Sequence, residues 1–145
     1  MGIDVEQLPG ELRGRGLRVT APRLAVYRVV AETPGHPDVE QIAARARALI
    51  GSLSTQAVYD ALRTLTAAGL LRRIEPAGSP ARFETRVGDN HHHVVCRVCG
   101  SAHDVDCVVG EAPCLMPSEA GGFMIDEAEV TFWGLCPDCQ VAQPV

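Results

Sequence analysis

Apolar residues recur at helical spacing through the first half of the chain and predict a series of helices. Residues 10–17 indicate a short first helix that its glycines weaken. A firmer second helix is predicted over residues 18–30, where three valines form an apolar stripe and Thr20 is suited to the N-cap. A third helix follows over residues 39–49, with Asp38 placed to cap it.

Residues 55–65, which follow a possible cap at Ser54, divide most clearly into two helical faces. Four apolar side chains at positions i, i+3, i+4 and i+7 predict the buried face: Val58, Ala61, Leu62 and Leu65. Four hydrogen-bonding side chains lie at the same spacing on the neighbouring face: Gln56, Tyr59, Asp60 and Arg63. The apolar face is expected to dock on the preceding helices, which leaves the polar face directed outward.

Two short runs at residues 70–74 and 81–85 predict a hairpin, with the Pro- and Gly-containing segment 76–80 as its tip. Three helices followed by a two-stranded wing predict a winged helix-turn-helix domain, with residues 55–65 as the recognition helix in the major groove of DNA. A charged outer face is also common on helices that only meet solvent, so that alternative stays open.

The polar side chains of this domain divide into two predicted groups of DNA contacts. Arginine suits guanine and glutamine suits adenine at base edges, so the first group is Gln56, Tyr59 and Arg63. The second group is expected at backbone phosphates and consists of Arg18, Arg23 and Arg82. Tyr59 has packing against the domain as its alternative role.

Charge is unevenly distributed along a chain whose formal net charge is −5. Residues 1–82 carry eleven arginines and eight acidic residues, whereas residues 83–145 carry two arginines and ten acidic residues. This asymmetry indicates a basic first module that meets phosphates and an acidic second module that meets cations. The chain shows neither a membrane-spanning apolar run nor a signal-peptide pattern, so a cytoplasmic location is expected.

Two C-x-x-C pairs lie in the second half, separated by the 36 residues 100–135. Their four thiols are Cys96, Cys99, Cys136 and Cys139. Four thiolates in a tetrahedral array are the donor set of a closed structural Zn²⁺ site, which is the preferred interpretation. The alternative is two redox dithiols or two disulfides, and disulfides would face a reducing compartment.

The rest of the second half predicts a small α+β domain with strands beginning at His93, near residues 102–109 and over residues 123–133, and a short helical segment over 111–118. The predicted organisation is a winged-helix domain over residues 1–86, a hinge over 87–90, and a dimerisation and metal-binding domain over 91–145. A domain this small has too little core to be stable unaided, and zinc supplies what is missing.

Three consecutive histidines precede the first thiol pair. Residues at i and i+2 of a strand share a face, so His91 and His93 are placed to bind one ion while His92 points away. Imidazoles combined with carboxylates suit a first-row divalent metal such as Fe²⁺, Mn²⁺ or Zn²⁺. A single histidine would more often be a core or surface residue, whereas this run favours metal binding.

Six segments, taken in order, resemble the ferric uptake regulator family of metal-dependent bacterial repressors, over roughly residues 10–140. The segments are Gly16–Arg23, Ala57–Tyr59, Ala68–Leu70, Arg82–Glu84, His91–Gly100 and Gly134–Cys139. Within that family, Asp104–Cys114 looks like the actinobacterial regulators encoded beside catalase-peroxidase genes.

The resemblance implies a homodimer that grips a palindromic DNA operator and has no small-molecule substrate. It also implies a regulatory Fe²⁺ or Mn²⁺ site between the domains, whose ligands fall on His36, Glu84, His91, His93 and Asp104. Asp89 is an alternative to Glu84 in that set.

The positions of a third metal site found in many family members fall on Asn90, His92, Glu111 and Ala128. Of these, His92 and Glu111 are suitable ligands, because asparagine and alanine stand where histidines are expected. Cys107 and Cys114 are interpreted as thiols that do not bind the structural zinc, with a redox role left open.

The sequence leaves two signals in competition: peroxide and iron status. In a peroxide sensor, bound Fe²⁺ reduces hydrogen peroxide and the oxidant attacks an adjacent imidazole, which then releases the metal. The related peroxide-sensing branch of the family has an aspartate where Asp104 stands, and the likeness to regulators beside catalase-peroxidase genes also favours peroxide. That branch tends to have an aspartate where Glu84 stands, so Glu84 favours an iron sensor. A zinc-dependent hydrolase or deaminase is a remote alternative, since neither H-E-x-x-H nor H-x-E…P-C-x-x-C is present. A zinc-stabilised protein-interaction module is a third.

Overall fold

The computed structural model describes residues 2–87, 91–106, 121–124 and 130–142. The chain divides into two compact units, Met1–Gly88 and Asp89–Val145. The predicted hinge at residues 87–90 lies mostly outside the described residues, and so does the helical segment predicted at 111–118. No helix in the described ranges is both long and apolar enough to cross a membrane.

The first unit is a helical bundle followed by a hairpin. After a 3₁₀ turn at Val5–Gln7, its helices and strands are α1 (Leu8–Gly14), α2 (Ala21–Glu32), α3 (Val39–Ile50), α4 (Thr55–Ala67), β1 (Arg72–Ile74) and β2 (Arg82–Glu84). This is the predicted winged-helix order. The second helix begins at Ala21 rather than at residue 18, because Thr20 is extended and acts as its cap.

Side-chain caps fix where the longer helices begin. Asp38 Oδ1 accepts a hydrogen bond from the Gln41 amide at 2.9 Å, and Gln41 Oε1 accepts one from the Asp38 amide at 3.0 Å. This reciprocal pair satisfies two amides that the first turn of α3 leaves without helical partners. Ser54 caps α4 in the same way, through its hydroxyl oxygen and the Ala57 amide at 3.0 Å. The predicted caps at Thr20, Asp38 and Ser54 are therefore confirmed.

The core of the first unit forms where α2, α3 and α4 meet. Its apolar side chains include the predicted face of α4, namely Val58, Ala61, Leu62 and Leu65, all at most 3% exposed. Tyr27 on α2 is fully buried, and its hydroxyl exchanges two hydrogen bonds with the backbone of Ile3, donating at 2.8 Å and accepting at 3.1 Å. The N-terminal segment is thereby attached to the helical core.

The wing is shorter than the apolar pattern predicts. Leu70 and Leu71 are buried, but their amides donate to the Leu65 carbonyl at 3.0 and 3.2 Å and so close the C-terminal end of α4. The strand pairing of the wing begins only at β1. This strand pairs antiparallel with β2, so that Arg72 lies opposite Glu84. The turn at the wing tip is closed by the Ser79 amide and the Pro76 carbonyl at 3.0 Å.

The second unit contains a three-stranded sheet in the order β4-β3-β5. Its elements are β3 (His91–Cys96), β4 (Ala102–Asp106), β5 (Thr131–Gly134) and α5 (Pro137–Ala142). β3 pairs antiparallel with β4 and parallel with β5. The predicted strand at residues 123–133 is wrong at its start: Phe123 and Met124 lie outside any strand, directly after a turn at Gly121 and Gly122 where both φ angles are positive.

Candidate metal centres and nucleic-acid interface

The two C-x-x-C pairs meet because β3 and β5 run parallel and end at the same edge of the sheet. The four cysteine sulfurs lie within 4.8 Å of one another, and the Cys99 and Cys136 sulfurs are 3.7 Å apart. Zn–S bonds of about 2.3 Å in a tetrahedron place sulfurs roughly 3.8 Å apart, so the observed spacing fits zinc. The described part of the chain therefore brings the two predicted thiol pairs into one tetrathiolate group.

The backbone around this group tunes its thiols unequally. Backbone amides of Cys136 and Cys99 lower the pKa of Cys96 to about 6, since N–H donors stabilise the thiolate. The hydroxyl and amide of Ser101 lower the pKa of Cys99, and its sulfur lies 3.3 Å from the Ser101 hydroxyl. The shared hydrogen bond with Cys136 raises the pKa of Cys139 to about 12. The same N–H donors would stabilise the Cys96 sulfur as a thiolate, which is the form that binds a metal.

His36 and Glu84 form a pair within the first unit, with 3.2 Å between His36 Nε2 and Glu84 Oε2. The Phe83 amide donates to the Pro37 carbonyl at 3.0 Å, and Asp38 forms a backbone bridge with Arg82, so the loop before α3 runs alongside β2. Glu84 is 4% exposed, and its other carboxylate oxygen, Oε1, lies 4.0 Å from Arg72 Nε.

The backbone at His36 is unusual. His36 has a φ of 56°, a positive value that no other non-glycine residue in the described ranges has. It follows Gly35, whose φ is 82°. An L-residue in this region is destabilised by about 1–2 kcal/mol. The conformation turns the imidazole toward the Glu84 carboxylate, and such strain is most often kept where a side chain has a functional position.

A second histidine–carboxylate pair lies in the second unit. The register of β3 and β4 sets His93 opposite Asp104, and His93 Nε2 is 3.3 Å from Asp104 Oδ1. His93 is fully buried, whereas the Asp104 side chain is 27% exposed. His91 begins β3 opposite Asp106, but its side chain lies outside the described residues, as does Asp89. Each unit thus contains one buried or partly buried imidazole–carboxylate pair, and such donors suit a first-row divalent metal.

His92 has a structural role in the sheet. It is 1% exposed, and its Nδ1 accepts a hydrogen bond from the Val130 amide at 3.2 Å, next to the start of β5. That nitrogen is engaged with the backbone rather than offered to a third metal site. Asn90, Glu111 and Ala128 lie outside the described residues, and the same holds for Cys107 and Cys114.

The polar face of α4 is exposed as the apolar pattern predicts, and its side chains contact one another. Asp60 Oδ1 accepts hydrogen bonds from Gln56 Nε2 at 2.9 Å and from Arg63 Nη1 at 3.2 Å. Tyr59 is 47% exposed and, with Leu62 and Phe83, lines a cavity of about 800 Å³ between α4 and the wing. The sequence pattern placed Asp60 on this face without indicating that it joins the two predicted base contacts.

The three arginines predicted at phosphates have different surroundings. Arg18 is exposed, and its carbonyl accepts a hydrogen bond from Arg23 Nη1 at 2.7 Å. Arg82 on β2 is partly buried, with Nε 3.4 Å from the Ser79 hydroxyl at the wing tip. Arg23 and Arg82 each donate to a residue of the adjoining loop, which limits the conformational freedom that their side chains would lose on binding a phosphate.

Comparison with known proteins gives a consistent result. The model of the ferric uptake regulator family matches residues 14–132. The chain is 58% identical over 132 residues to the transcriptional regulator FurA of Mycobacterium tuberculosis (strain ATCC 25618 / H37Rv), covering 91% of this chain and 89% of FurA. It is 56% identical over 133 residues to ferric uptake regulation protein 2 of Mycolicibacterium fortuitum, covering 90% and 91% of the two chains.

Among solved structures, the ferric uptake regulator of Helicobacter pylori, which has three functional metal-binding sites, matches with a TM-score of 0.69. The alignment covers 94% of this chain and 91% of that one at 19% identity, so this likeness concerns the fold.

Proposed function

Because this chain belongs to the ferric uptake regulator family, whose members are metal-responsive transcriptional regulators that bind DNA, we propose that it is a metal-activated repressor. It binds a palindromic operator as a homodimer in the cytoplasm. The observation that carries the proposal is the pair of histidine–carboxylate contacts, His36 with Glu84 and His93 with Asp104, one in each unit. The relatives are named regulators, so the enzyme alternative is set aside.

The tetrathiolate group has a structural role in this proposal. Zn²⁺ bound by Cys96, Cys99, Cys136 and Cys139 supplies folding free energy to a unit whose described core is small. Four thiolates fill a tetrahedral ion, which leaves no open position for a substrate. The zinc therefore serves the fold and the dimer rather than the metal response.

The regulatory Fe²⁺ or Mn²⁺ takes its ligands from His36, Glu84, His91, His93 and Asp104. Because the proposed donors come from both units, metal binding would hold the two units in one arrangement. Neutral imidazole and carboxylate donors suit these two metals, and both described pairs already bring such donors within 3.3 Å of each other. A ligand that binds one arrangement better shifts the population toward it.

The DNA interface consists of α4 in the major groove, with Gln56, Tyr59 and Arg63 at base edges, and of Arg18, Arg23 and Arg82 at phosphates. The exposed polar face of α4 and the winged-helix order support this assignment. Phosphate contacts fix the register of the protein on the duplex, whereas contacts to base edges carry the sequence preference.

The proposed signal is peroxide, with control of catalase and other oxidative-stress genes. Fe²⁺ held by the proposed ligands would supply the electrons that reduce hydrogen peroxide, and the imidazoles of His36, His91 and His93 are the proposed targets of the oxidant formed. An oxidised imidazole is a poor ligand, so the regulatory metal leaves and the operator is released. The contact between Asp104 and His93 at 3.3 Å supports this signal, because it keeps an aspartate beside one of these imidazoles.

Iron status is the second candidate signal. The M. fortuitum relative is named a ferric uptake regulation protein, and Glu84 rather than an aspartate lies beside His36. In that case metal binding is simply reversible, and the genes controlled are those of iron uptake.

Footprinting on the DNA upstream of the protein's own gene tests the repressor proposal. Protection of a palindrome is expected with Mn²⁺ or Fe²⁺ and not after removal of the regulatory metal. Indifference to this DNA in every metal state would remove the proposal and favour a zinc-stabilised protein-interaction module.

Mass spectrometry after stoichiometric hydrogen peroxide separates the two signals: an added oxygen on His36 or His91 of the Fe²⁺ form, absent from the Mn²⁺ form, is expected for a peroxide sensor. Unmodified histidines, with DNA release following cysteine oxidation, would transfer sensing to the thiols.

A further inference from the structure

One carboxylate oxygen joins the two side chains of α4 best suited to read bases. Asp60 Oδ1 lies 2.9 Å from Gln56 Nε2, one helical turn before it, and 3.2 Å from Arg63 Nη1, one turn after it. The spacing is i−4 and i+3, at which helical side chains are neighbours. All three side chains are exposed.

An acidic residue at the centre of a DNA-binding face needs a physical reason. Its charge repels phosphates and so weakens binding to every DNA sequence. Its ion pair with Arg63 has side chains that are 56% and 72% exposed, and such pairs contribute little to folding stability. Neither general DNA affinity nor the fold explains an aspartate here.

We propose that Asp60 is a positioning residue that determines sequence specificity, by holding Gln56 and Arg63 in the orientation in which they read bases. This inference rests on the proposed function, since it requires α4 to enter the major groove. The Gln56 amide still has one N–H and its carbonyl oxygen for adenine, and the Arg63 guanidinium retains four of its five N–H donors for guanine.

Two consequences follow for binding. Side chains already held in one orientation lose less conformational freedom when they meet the correct bases, so affinity for the operator is retained. The same carboxylate opposes phosphates on every sequence, so its charge lowers operator and non-specific affinity alike and leaves their ratio to the orienting effect. Asp60 therefore raises the ratio of operator affinity to non-specific affinity, which is the quantity that matters in a genome.

The test compares operator, singly substituted operators and scrambled duplex, bound by full-length Mn²⁺-loaded protein at two salt concentrations. Asp60→Ala removes both the charge and the acceptor, whereas Asp60→Asn retains an acceptor oxygen. The matched control is Glu32→Ala, because Glu32 pairs with Arg28 at i,i+4 on α2 with 57% of its side chain exposed. This control removes one acidic charge from an equally exposed ion pair outside α4.

Asp60→Ala is expected to bind scrambled DNA more tightly and to reduce the operator-to-scrambled ratio by about tenfold, the order of one lost base contact. Asp60→Asn is expected to keep the wild-type ratio, and Glu32→Ala to change neither quantity. Circular dichroism confirms that the variants are folded.

A wild-type ratio in Asp60→Ala would overturn the inference. So would an equal loss in Asp60→Asn, which would assign the effect to charge alone. A loss confined to one operator base pair in Asp60→Ala would also overturn it, by making Asp60 a direct base contact. Wild-type protein that does not distinguish operator from scrambled DNA would instead remove the proposed function.

Discussion

The Phe83 amide donates a hydrogen bond to the Pro37 carbonyl at 3.0 Å, and this contact joins the wing to the loop before α3. It lies one residue away from both His36 and Glu84, whose side chains are 3.2 Å apart. Backbone pairing therefore fixes the position of two proposed metal donors that are separated by 47 residues in the sequence. Variants of either side chain are expected to leave this backbone contact intact.

His36→Gly separates the metal role of His36 from its backbone role. Glycine adopts a φ of 56° without strain, which relieves about 1–2 kcal/mol, whereas loss of the contact with the buried Glu84 carboxylate costs a similar amount, so the variant is expected to fold with a stability near that of wild type. It lacks the imidazole, so Mn²⁺-dependent operator binding is expected to be lost. Thermal unfolding and DNA binding as a function of Mn²⁺ measure the two effects.

His103→Gln is the control, because His103 is an exposed histidine on β4. Its Mn²⁺ response is expected to match that of wild type. A His36→Gly protein that still requires Mn²⁺ at wild-type concentrations would remove His36 from the regulatory site.

Cys136→Ser is expected to abolish stoichiometric zinc binding and to unfold the second unit. The Cys136 sulfur lies 3.7 Å from the Cys99 sulfur and accepts a hydrogen bond from the Cys139 amide at 3.4 Å, so its loss disrupts both thiol pairs. Zinc content and the dimer fraction in sedimentation measure the effect. The Cys107→Ser, Cys114→Ser double variant is the control and is expected to retain its zinc; loss of one zinc per chain from it would contradict the assignment of the four ligands.

Arg63→Ala and Arg18→Ala are expected to weaken DNA binding in different ways. Loss of Arg63 should relax preference at one operator position by roughly 1–3 kcal/mol, because a base contact is removed. Loss of Arg18 should weaken operator and scrambled DNA alike and lower the salt slope by about one, because a phosphate contact is removed. Anisotropy titrations over a range of salt separate the two; equal behaviour of both variants would contradict the division into base and phosphate contacts.

Tyr27→Phe is expected to change how stability depends on pH. Burial raises the pKa of Tyr27 above its ordinary value of 10. Because the folded pKa is the higher one, the neutral phenol stabilises the fold below pH 10, and this contribution is lost as the pH rises through the folded pKa. The variant should be less stable at neutral pH by about 1–2 kcal/mol, through two lost hydrogen bonds to Ile3.

Chemical unfolding at several pH values between neutral and alkaline measures this effect. The decline in unfolding free energy above pH 10 is expected to be shallower in Tyr27→Phe than in wild type. Tyr59→Phe removes the same hydroxyl from an exposed position and is the matched control. A parallel decline in wild type and Tyr27→Phe would show that the Tyr27 phenol is not linked to unfolding.

Local features of the fold were predictable because their causes are local. The caps at Thr20, Asp38 and Ser54 act within three residues of each helix start, and the buried face of α4 follows from helical periodicity. The thiol pairs were predictable for the same reason, since a C-x-x-C turn defines its own geometry.

Several features that depend on distant contacts were not predictable from the local sequence pattern. The hydroxyl of Tyr27 finds its partner 24 residues away at Ile3, and nothing in the α2 pattern indicates this. The parallel pairing of β3 with β5 is likewise a choice between distant segments. α5 was missed although Pro137, at its first position, is a recognised start of helices.

The tetrathiolate group also makes the chain between Cys99 and Cys136 a closed loop. Its ends are fixed by the four clustered sulfurs and by the parallel strands β3 and β5, rather than by the sequence that they enclose. Closing a chain of 36 residues removes conformational entropy from the unfolded state, so one ion bound by all four sulfurs would stabilise the folded second unit in the way that a long-range disulfide does.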